Sequence, residues 1–224
     1  MTKLLEKNDK NGFCLNVGCG LIAPPGWTNF DSSFTLKLAR TPIVGSSIIR
    51  IINGPDWPSS ALCGDIVKGL NIPFESCDLI FASHVLEHIS LSDFHSAMNN
   101  IYSYLKKGGI FRAIVPDLNY YIKKYSSQIS DRSASPKASF EFMEKMNIGY
   151  AQSRRNIFCR LLEAVKNSRH QWMWDAPSLF SAFVEHGFQG VHLCEYGDWS
   201  DVRFKLVDKK ESYADSICIE GHKE

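Results

Sequence analysis

Apolar residues along this chain occur in two patterns, short continuous runs and longer stretches at helical spacing, and the two alternate as in an α/β sheet covered on both faces. Phe13-Cys14-Leu15 opens the first run, which breaks into glycine at Gly18-Cys19-Gly20, where a parallel strand would end. Trp27-Thr28-Asn29-Phe30-Asp31 predicts a second strand, and Ala61-Leu62-Cys63, stopping at Gly64-Asp65, a short third. The run 78–82 is the kind found in a fully covered strand, and 110–115, ending at Pro116-Asp117, predicts a fifth. Residues 191–194 and 216–219 read as the last two. Leu91, Phe94, Met98, Ile101 and Leu105 recur at helical spacing behind Ser90 and Asp93, which resemble a capping box. Lys106-Lys107-Gly108-Gly109 predicts the end of that helix, a basic last turn followed by glycine. A later helix carries Leu179, Phe180, Phe183 and Val184, capped by Asp175 or Ser178 and closed at Gly187.

Two segments interrupt the alternation. Residues 32–60 resist assignment: Leu36, Leu38 and 48–52 are apolar, but Gly54-Pro55-Asp56-Trp57-Pro58 is a turn cluster. From about 118 to 170 the pattern is helical, with Phe140, Met143, Phe158, Leu161, Leu162 and Val165 as inward positions and a break at 126–136. A connection of that length in a compact α/β domain suggests a lid or insertion. The organisation expected is one domain with a core at about 12–117, a helical insertion at about 118–170, and a closing helix and strands at about 171–224.

Composition adds only exclusions. The 224 residues can bury a substantial core, and 44% hydrophobic residues with 22% charged and a net charge of +1 describe an ordinary globular chain. That balance demands no polyanion, so no nucleic-acid partner is expected. Residues 1–10 are polar and lack the apolar core of a signal peptide. No apolar run approaches the roughly 20 residues of a membrane span, and a cytoplasmic location is expected. The seven cysteines form no CxxC pair, and several lie in apolar runs as buried reduced thiols would.

A glycine turn after strand one and a carboxylate after strand two is the layout of a nucleoside-binding α/β fold, the acid accepting hydrogen bonds from ribose hydroxyls. Four segments in order extend it: Asn16-Val17-Gly18-Cys19-Gly20, Gly26-Trp27-Thr28-Asn29-Phe30-Asp31, Asp65 with 72–80, and His84-Val85-Leu86-Glu87-His88. Together they resemble the class I S-adenosylmethionine-dependent methyltransferases, and 105–110 is similar to that family's helix-loop-strand element, with Lys107 where proline is usual. The resemblance implies a Rossmann-like, seven-stranded, mostly parallel sheet with helices on both faces and an antiparallel strand near the end. It further implies that Val17, Gly18, Cys19 and Gly20 pass close to the methionine moiety and that Asp31 holds the ribose. Asp65 would accept from the adenine amino group, Ile66 would pack on the ring, and Ser83 and His84 would complete the cofactor-facing surface. A narrower resemblance is to small bacterial methyltransferases encoded with polysaccharide and lipopolysaccharide assembly genes, through 26–31, Val115-Pro116-Asp117-Leu118 and His170-Gln171-Trp172-Met173-Trp174-Asp175. Two departures stand out: only ten residues separate Gly20 from Asp31, too few for the usual helix, and 32–60 has no clear counterpart.

Methyl transfer asks the protein for in-line geometry, exclusion of water and removal of a proton when the nucleophile is a hydroxyl. His84, just beyond the fourth strand, and His170, opening the aromatic segment, are the candidate bases. The string 84–88 also matches the inverted zincin motif and is similar to an E-x-x-E-H arrangement that binds a divalent cation in some methyltransferases. The favoured reading is a cofactor- and substrate-facing turn without metal. Asp117 and Trp172 are candidate substrate contacts. Arg154 and Arg155, with Arg160, Lys166 and Arg169, form either a solvated face or a receiver for a phosphorylated or nucleotide-linked acceptor. The expected function is O-methylation of a sugar or other small-molecule or glycan acceptor, with S-adenosyl-L-methionine as donor and S-adenosyl-L-homocysteine as product. N-methylation and a non-catalytic scaffold role in polysaccharide assembly are the alternatives.

Overall fold

Wherever a strand is covered on both faces, both sets of alternating side chains are apolar, and this chain shows the rule in its centre. The computed structural model describes residues 12–130, 135–149 and 169–224. In β4 (Cys77–Ser83), Ile80 and Ala82 pack with Phe94 and Met98 on one side of the sheet, while Leu79 and Phe81 pack with Trp27 and Phe204 on the other. Around it lie β1 (Cys14–Val17), β2 (Thr28–Asp31), β3 (Ala61–Cys63), β5 (Leu105–Pro116), β6 (Gln189–Cys194) and β7 (Ser216–His222). The seven strands are ordered β3-β2-β1-β4-β5-β7-β6, with β7 antiparallel to both of its neighbours and the β1–β5 pairings parallel. The expected sheet is thus observed, including the antiparallel strand near the end.

Helix α3 (Leu91–Tyr104) buries Phe94, Ala97, Met98, Ile101 and Tyr104 against one face, and Ser90 Oγ accepts from the Asp93 N–H at 3.1 Å. Its end differs from expectation. Leu105 leaves the helix at once, fully buried in extended conformation and paired with Cys77, so no glycine closes the helix. Lys106 to Gly109 instead form an irregularity inside β5, where Gly108 (φ +74°) donates to the Lys223 carbonyl at 2.7 Å. Sheet pairing together with complete burial of Leu105 outweighs one more turn of helix.

Residues 32–60 contain two short helices, α1 (Phe34–Ala39) and α2 (Gly45–Ile51). They are tied to β3 by Arg40, whose guanidinium donates to the carbonyls of Ala61 and Pro58. After β5, α4 (Leu118–Ser130) runs through the break expected from 126 onward, and α5 (Ala138–Lys145) follows. Phe140 and Met143 point outward, contrary to expectation, with Phe140 75% exposed; Tyr121, Ala138 and Met146 supply the buried contacts. Phe158, Leu161, Leu162 and Val165 lie outside the described residues. In α6 (Ala176–Glu185) both expected caps act together: Asp175 Oδ1 accepts from Ser178 N–H at 2.9 Å and Ser178 Oγ accepts from Asp175 N–H at 3.3 Å. Leu179 and Phe183 are buried, whereas Phe180 and Val184 are exposed.

One charge sits inside the sheet. Arg112 of β5 is fully buried opposite Glu220 of β7, which accepts from its guanidinium, and Asp208 lies 3.4 Å from its Nε. Tyr213 and the carbonyls of Glu195 and Asp198 take its remaining donors. Burial works against the cation, but the hydrogen bonds and negative partners around it raise its pKa. Of the described cysteines, Cys63 is exposed and the other five are buried and unpaired. Burial pushes the Cys14 thiol up to about 11 and those of Cys19 and Cys77 up to about 12, so all three are inert, protonated core groups at neutral pH. Among the described residues no helix is long and apolar enough to cross a membrane.

Candidate functional site

The carboxyl ends of β1, β2, β4 and β5 meet at one edge of the sheet, where parallel α/β folds receive their ligands. Val17, 3% exposed, ends β1, and the chain then turns through Gly18 (φ +64°) and Gly20 (φ +52°). A Cβ on Gly18 would stand 2.2 Å from Val85 Cγ2, whereas one on Gly20 would meet open space. The two glycines therefore serve different ends, close packing at Gly18 and an uncovered backbone at Gly20. Asn16, buried beneath the turn, donates to the Ile22 carbonyl at 2.9 Å and to Asn29 Oδ1 at 3.0 Å. Cys19 N–H donates to the Phe30 carbonyl, which joins the turn to β2. The short link between the two strands is thus stapled by side-chain amides in place of a packed helix.

Asp31 closes the turn from the other side. Its Oδ2 accepts from the Gly20 N–H at 2.9 Å and its Oδ1 from the Ser33 N–H at 2.8 Å, leaving one lone pair on each oxygen for a diol. Asp65 follows β3, accepts from the Val67 N–H at 3.1 Å and lies 3.7 Å from Lys68 Nζ. Ile66 is 5% exposed within the core that contains Leu15, Val17 and Leu70.

The end of β4 is built differently. Ser83 is its last residue, and His84 takes a left-handed backbone conformation (φ +54°) with its N–H donating to the Ile114 carbonyl at 2.8 Å. The chain then makes a single 3-10 turn, Leu86–His88. The zincin arrangement needs one helix carrying both histidines, and this turn does not provide it. The turn buries Glu87 at 1% exposure and surrounds it with histidines. His84 Nδ1 lies 3.2 Å from Glu87 Oε1, and its Nε2 lies 3.3 Å from the Ser212 carbonyl oxygen. Burial alone would lower the His84 pKa, but the Glu87 carboxylate and the Ser212 carbonyl together raise it.

His170 arrives from the far side of the sequence. Gln171 and Trp172 donate their backbone N–H groups to the Glu87 carbonyl at 2.7 and 3.2 Å, and Gln171 Nε2 donates to the His88 carbonyl. This docking places the His170 ring 5.0 Å from that of His88, edge to face. Burial lowers the His170 pKa. Trp172 is 41% exposed, and Trp174 is buried against Phe94, 4.4 Å between ring centroids. Asp117 bridges to Trp174 and accepts from the Asn119 N–H at 2.9 Å, so its carboxylate caps α4 at the same edge. Val17, Gly18, Cys19, Gly20, Asp31, Ser83, His84, Asp117, His170 and Trp172 thus lie on the strand ends or on loops joined to them. Arg154 and Arg155 lie outside the described residues. The central place of Glu87 and the approach of Ser212 were not foreseen; Glu87 stood in the quoted motif, but nothing local to residue 212 signals contact with position 84.

The open backbone at Gly20, beside a carboxylate with lone pairs to spare, fits the methionine and ribose parts of the cofactor that the sequence implied. A family described as methyltransferase domain matches residues 27–193. The chain belongs to that family. Membership of this methyltransferase family implies S-adenosylmethionine as methyl donor and S-adenosylhomocysteine as product. No curated protein matches it significantly in sequence. Among solved structures it is similar to PigF with S-adenosylhomocysteine at 16% identity and a TM-score of 0.49, the match covering 95% of this chain but only 56% of PigF. It is also similar to a possible histamine N-methyltransferase from Thermotoga maritima (16% identity, TM-score 0.47, 100% of this chain and 86% of that one). A third is the 1,6-didemethyltoxoflavin-N1-methyltransferase of Burkholderia thailandensis (12%, TM-score 0.46, 95% and 71%).

Proposed function

We propose that this methyltransferase methylates a hydroxyl oxygen of a sugar or other small-molecule or glycan acceptor in the cytoplasm, the acceptor being phosphorylated or nucleotide-linked. The observation that carries the reading is the docking of 170–172 onto Glu87, which sets an exposed indole and two histidines beside the cofactor turn. When bound, the cofactor supplies a methyl group already activated on a sulfonium, so the protein's task is placement and proton removal. Asp31 holds the ribose and the Gly20 backbone passes along the methionine moiety, with Asp65 and Ile66 on the adenine side. Trp172 offers a flat apolar face for a sugar ring, and Asp117 orients a hydroxyl.

Of the two histidines, His84 is assigned as the base. Its side chain is 39% exposed and its Nδ1–H faces Glu87; Nε2 carries a proton while it faces the Ser212 carbonyl, so His84 acts as base in its neutral form, after that proton has passed to solvent and an acceptor hydroxyl has replaced the Ser212 carbonyl. Residues from about 118 to 170 are assigned as a cover over the acceptor, with Arg154 and Arg155 receiving its phosphate. The narrower resemblance to polysaccharide-associated methyltransferases, through 115–118 and 170–175, supports this choice of acceptor.

Incubation with labelled S-adenosylmethionine and a panel of nucleotide sugars, free sugars and amines tests the proposal. Label should enter sugar oxygens, Asp31→Ala should abolish both binding and transfer, and His84→Ala should lower kcat by about 100-fold or more. Arg154→Ala with Arg155→Ala should raise the acceptor KM while leaving cofactor affinity unchanged. Transfer confined to amines would replace the oxygen assignment, and cofactor binding without transfer to any acceptor would favour the scaffold role.

A further inference from the structure

We propose that His192, Cys194, Cys218 and Glu220, on one face of the antiparallel pair β6–β7, form a structural binding site for a zinc-like divalent cation. His192 pairs with Glu220 and Cys194 with Cys218 across the ladder, and residues two apart on a strand share a face. The two pairs therefore gather four metal-type side chains into one patch. The ligand atoms of His192, Cys194 and Glu220 all lie within 4.8 Å of one another. Cys218 joins them, because its thiol donates a hydrogen bond to Cys194 Sγ. Ligands held tetrahedrally at about 2.0–2.3 Å from an ion stand about 3.3–3.8 Å apart, so a slight contraction turns this cluster into a coordination sphere.

Glu220 supplies the observation that points to a ligand. Its side chain is 1% exposed, and its two oxygens differ: Oε1 accepts from the Arg112 guanidinium, whereas Oε2 is buried without a hydrogen-bond partner. A buried carboxylate oxygen left in that state is costly unless a cation meets it. His192 Nε2 faces it from 3.9 Å. His192 Nδ1 lies 2.8 Å from the Gly190 carbonyl oxygen, which can only accept, so in the neutral ring Nδ1 carries the proton and Nε2 keeps its lone pair on the side of Glu220. A backbone carbonyl that fixes the tautomer in this way is the usual outer support of a metal-bound imidazole. Tyr213 Oη, 3.5 Å from Cys218 Sγ, gives that sulfur a comparable partner. The His192 side chain is half exposed, which leaves an entry path, while both cysteines are buried.

The charge balance also suits a cation. Zinc takes cysteine as thiolate, so one Zn²⁺ displaces two thiol protons and leaves the net charge of the patch unchanged. Arg112 keeps Oε1 of Glu220 and its neighbour Asp208 while the ion takes Oε2. One imidazole, two thiolates and a carboxylate select zinc over magnesium or calcium, which prefer oxygen alone. Four protein ligands leave no open position, so the ion's task is to fasten β6, an edge strand of the sheet, to β7. None of the four residues belongs to the cofactor turn or to 84–88, and the site stands independently of the methyl-transfer reading.

Titration of reduced, chelator-stripped protein with Co²⁺, read by absorption, tests the site without reference to turnover. One equivalent should bind, giving the near-ultraviolet charge-transfer band of thiolate ligation and the visible d–d bands of a tetrahedral ion, and Zn²⁺ should abolish both. Cys194→Ser and Cys218→Ser should each weaken binding by about 100-fold or more, beyond the loss caused by removing an outer partner. His192→Ala should weaken it as much, and because that side chain is half exposed the variant keeps the test independent of folding, which circular dichroism confirms. Cys63→Ser, which removes the exposed thiol of β3, should bind as wild type does. No Co²⁺ bound by folded wild type, a bound ion without the thiolate band, unchanged affinity in His192→Ala and both ligand-cysteine variants, or loss on Cys63→Ser would each overturn the site and leave the methyl-transfer proposal standing.

Discussion

Gly18 and Gly20 share a left-handed backbone but differ in what surrounds them, and that difference separates packing from binding. Gly18→Ala forces a methyl onto Val85 as well as into a strained φ, so it should cost about 1–3 kcal/mol of stability and also weaken the cofactor. Gly20→Ala meets no neighbour; thermal unfolding should show a smaller loss, of about 1–2 kcal/mol, while calorimetry shows S-adenosylhomocysteine affinity falling sharply. Equal losses of affinity per unit of lost stability in the two variants would contradict the division. Arg112 makes a different prediction. Arg112→Leu strands Glu220 and Asp208 as buried, uncompensated carboxylates and should lower unfolding stability by about 3–5 kcal/mol in urea titrations. At this scale the glycine turn and Asp31 were legible, because close backbone approach and a terminal carboxylate are written in residue type. The Arg112 and Glu220 pairing was not, since its partners lie 108 positions apart and only the register of β5 against β7 joins them.

Among the elements, α6 has the best-defined start. Asp175 is held below the usual carboxylate range by the Ser178 hydroxyl and backbone N–H, so its stabilising effect is present above the unfolded pKa and disappears as pH falls through the lower folded value. Asp175→Ala should therefore cost about 1 kcal/mol at neutral pH, and the gap between variant and wild type should close in acid, as followed by unfolding at several pH values. Covered strands announced themselves through continuous apolar runs such as 78–82. The end of α3 did not: Leu105 fits the helical period and Gly108-Gly109 looks like a cap, but pairing with Cys77 is a long-range choice that local pattern cannot express. Helices α1 and α2, six and seven residues long, are too short to set a period, and Arg40 anchors them from outside their own apolar positions. The outward turn of Phe140 and Met143 has the same origin, because which face of α5 meets α4 is decided by tertiary contact through Tyr125 and Phe142.

Across the molecule, the sheet order brings the cofactor turn and the histidine cluster to one edge although His84 and His170 are 86 positions apart in sequence. The likeness to known methyltransferases carried the first, through segments that follow each other along the chain. The second emerged only when residues 170–172 were seen hydrogen-bonded to the Glu87 carbonyl. The same sheet order has a consequence for synthesis. The slot between β5 and β6 is filled by β7, which leaves the ribosome after every other strand. Until it arrives, the nascent chain holds two open hydrogen-bonding edges and a guanidinium without Glu220 as counter-ion. A translation product halted before position 216 therefore has every cofactor-turn residue but an unfinished wall, the kind of intermediate that chaperones retain and proteases remove.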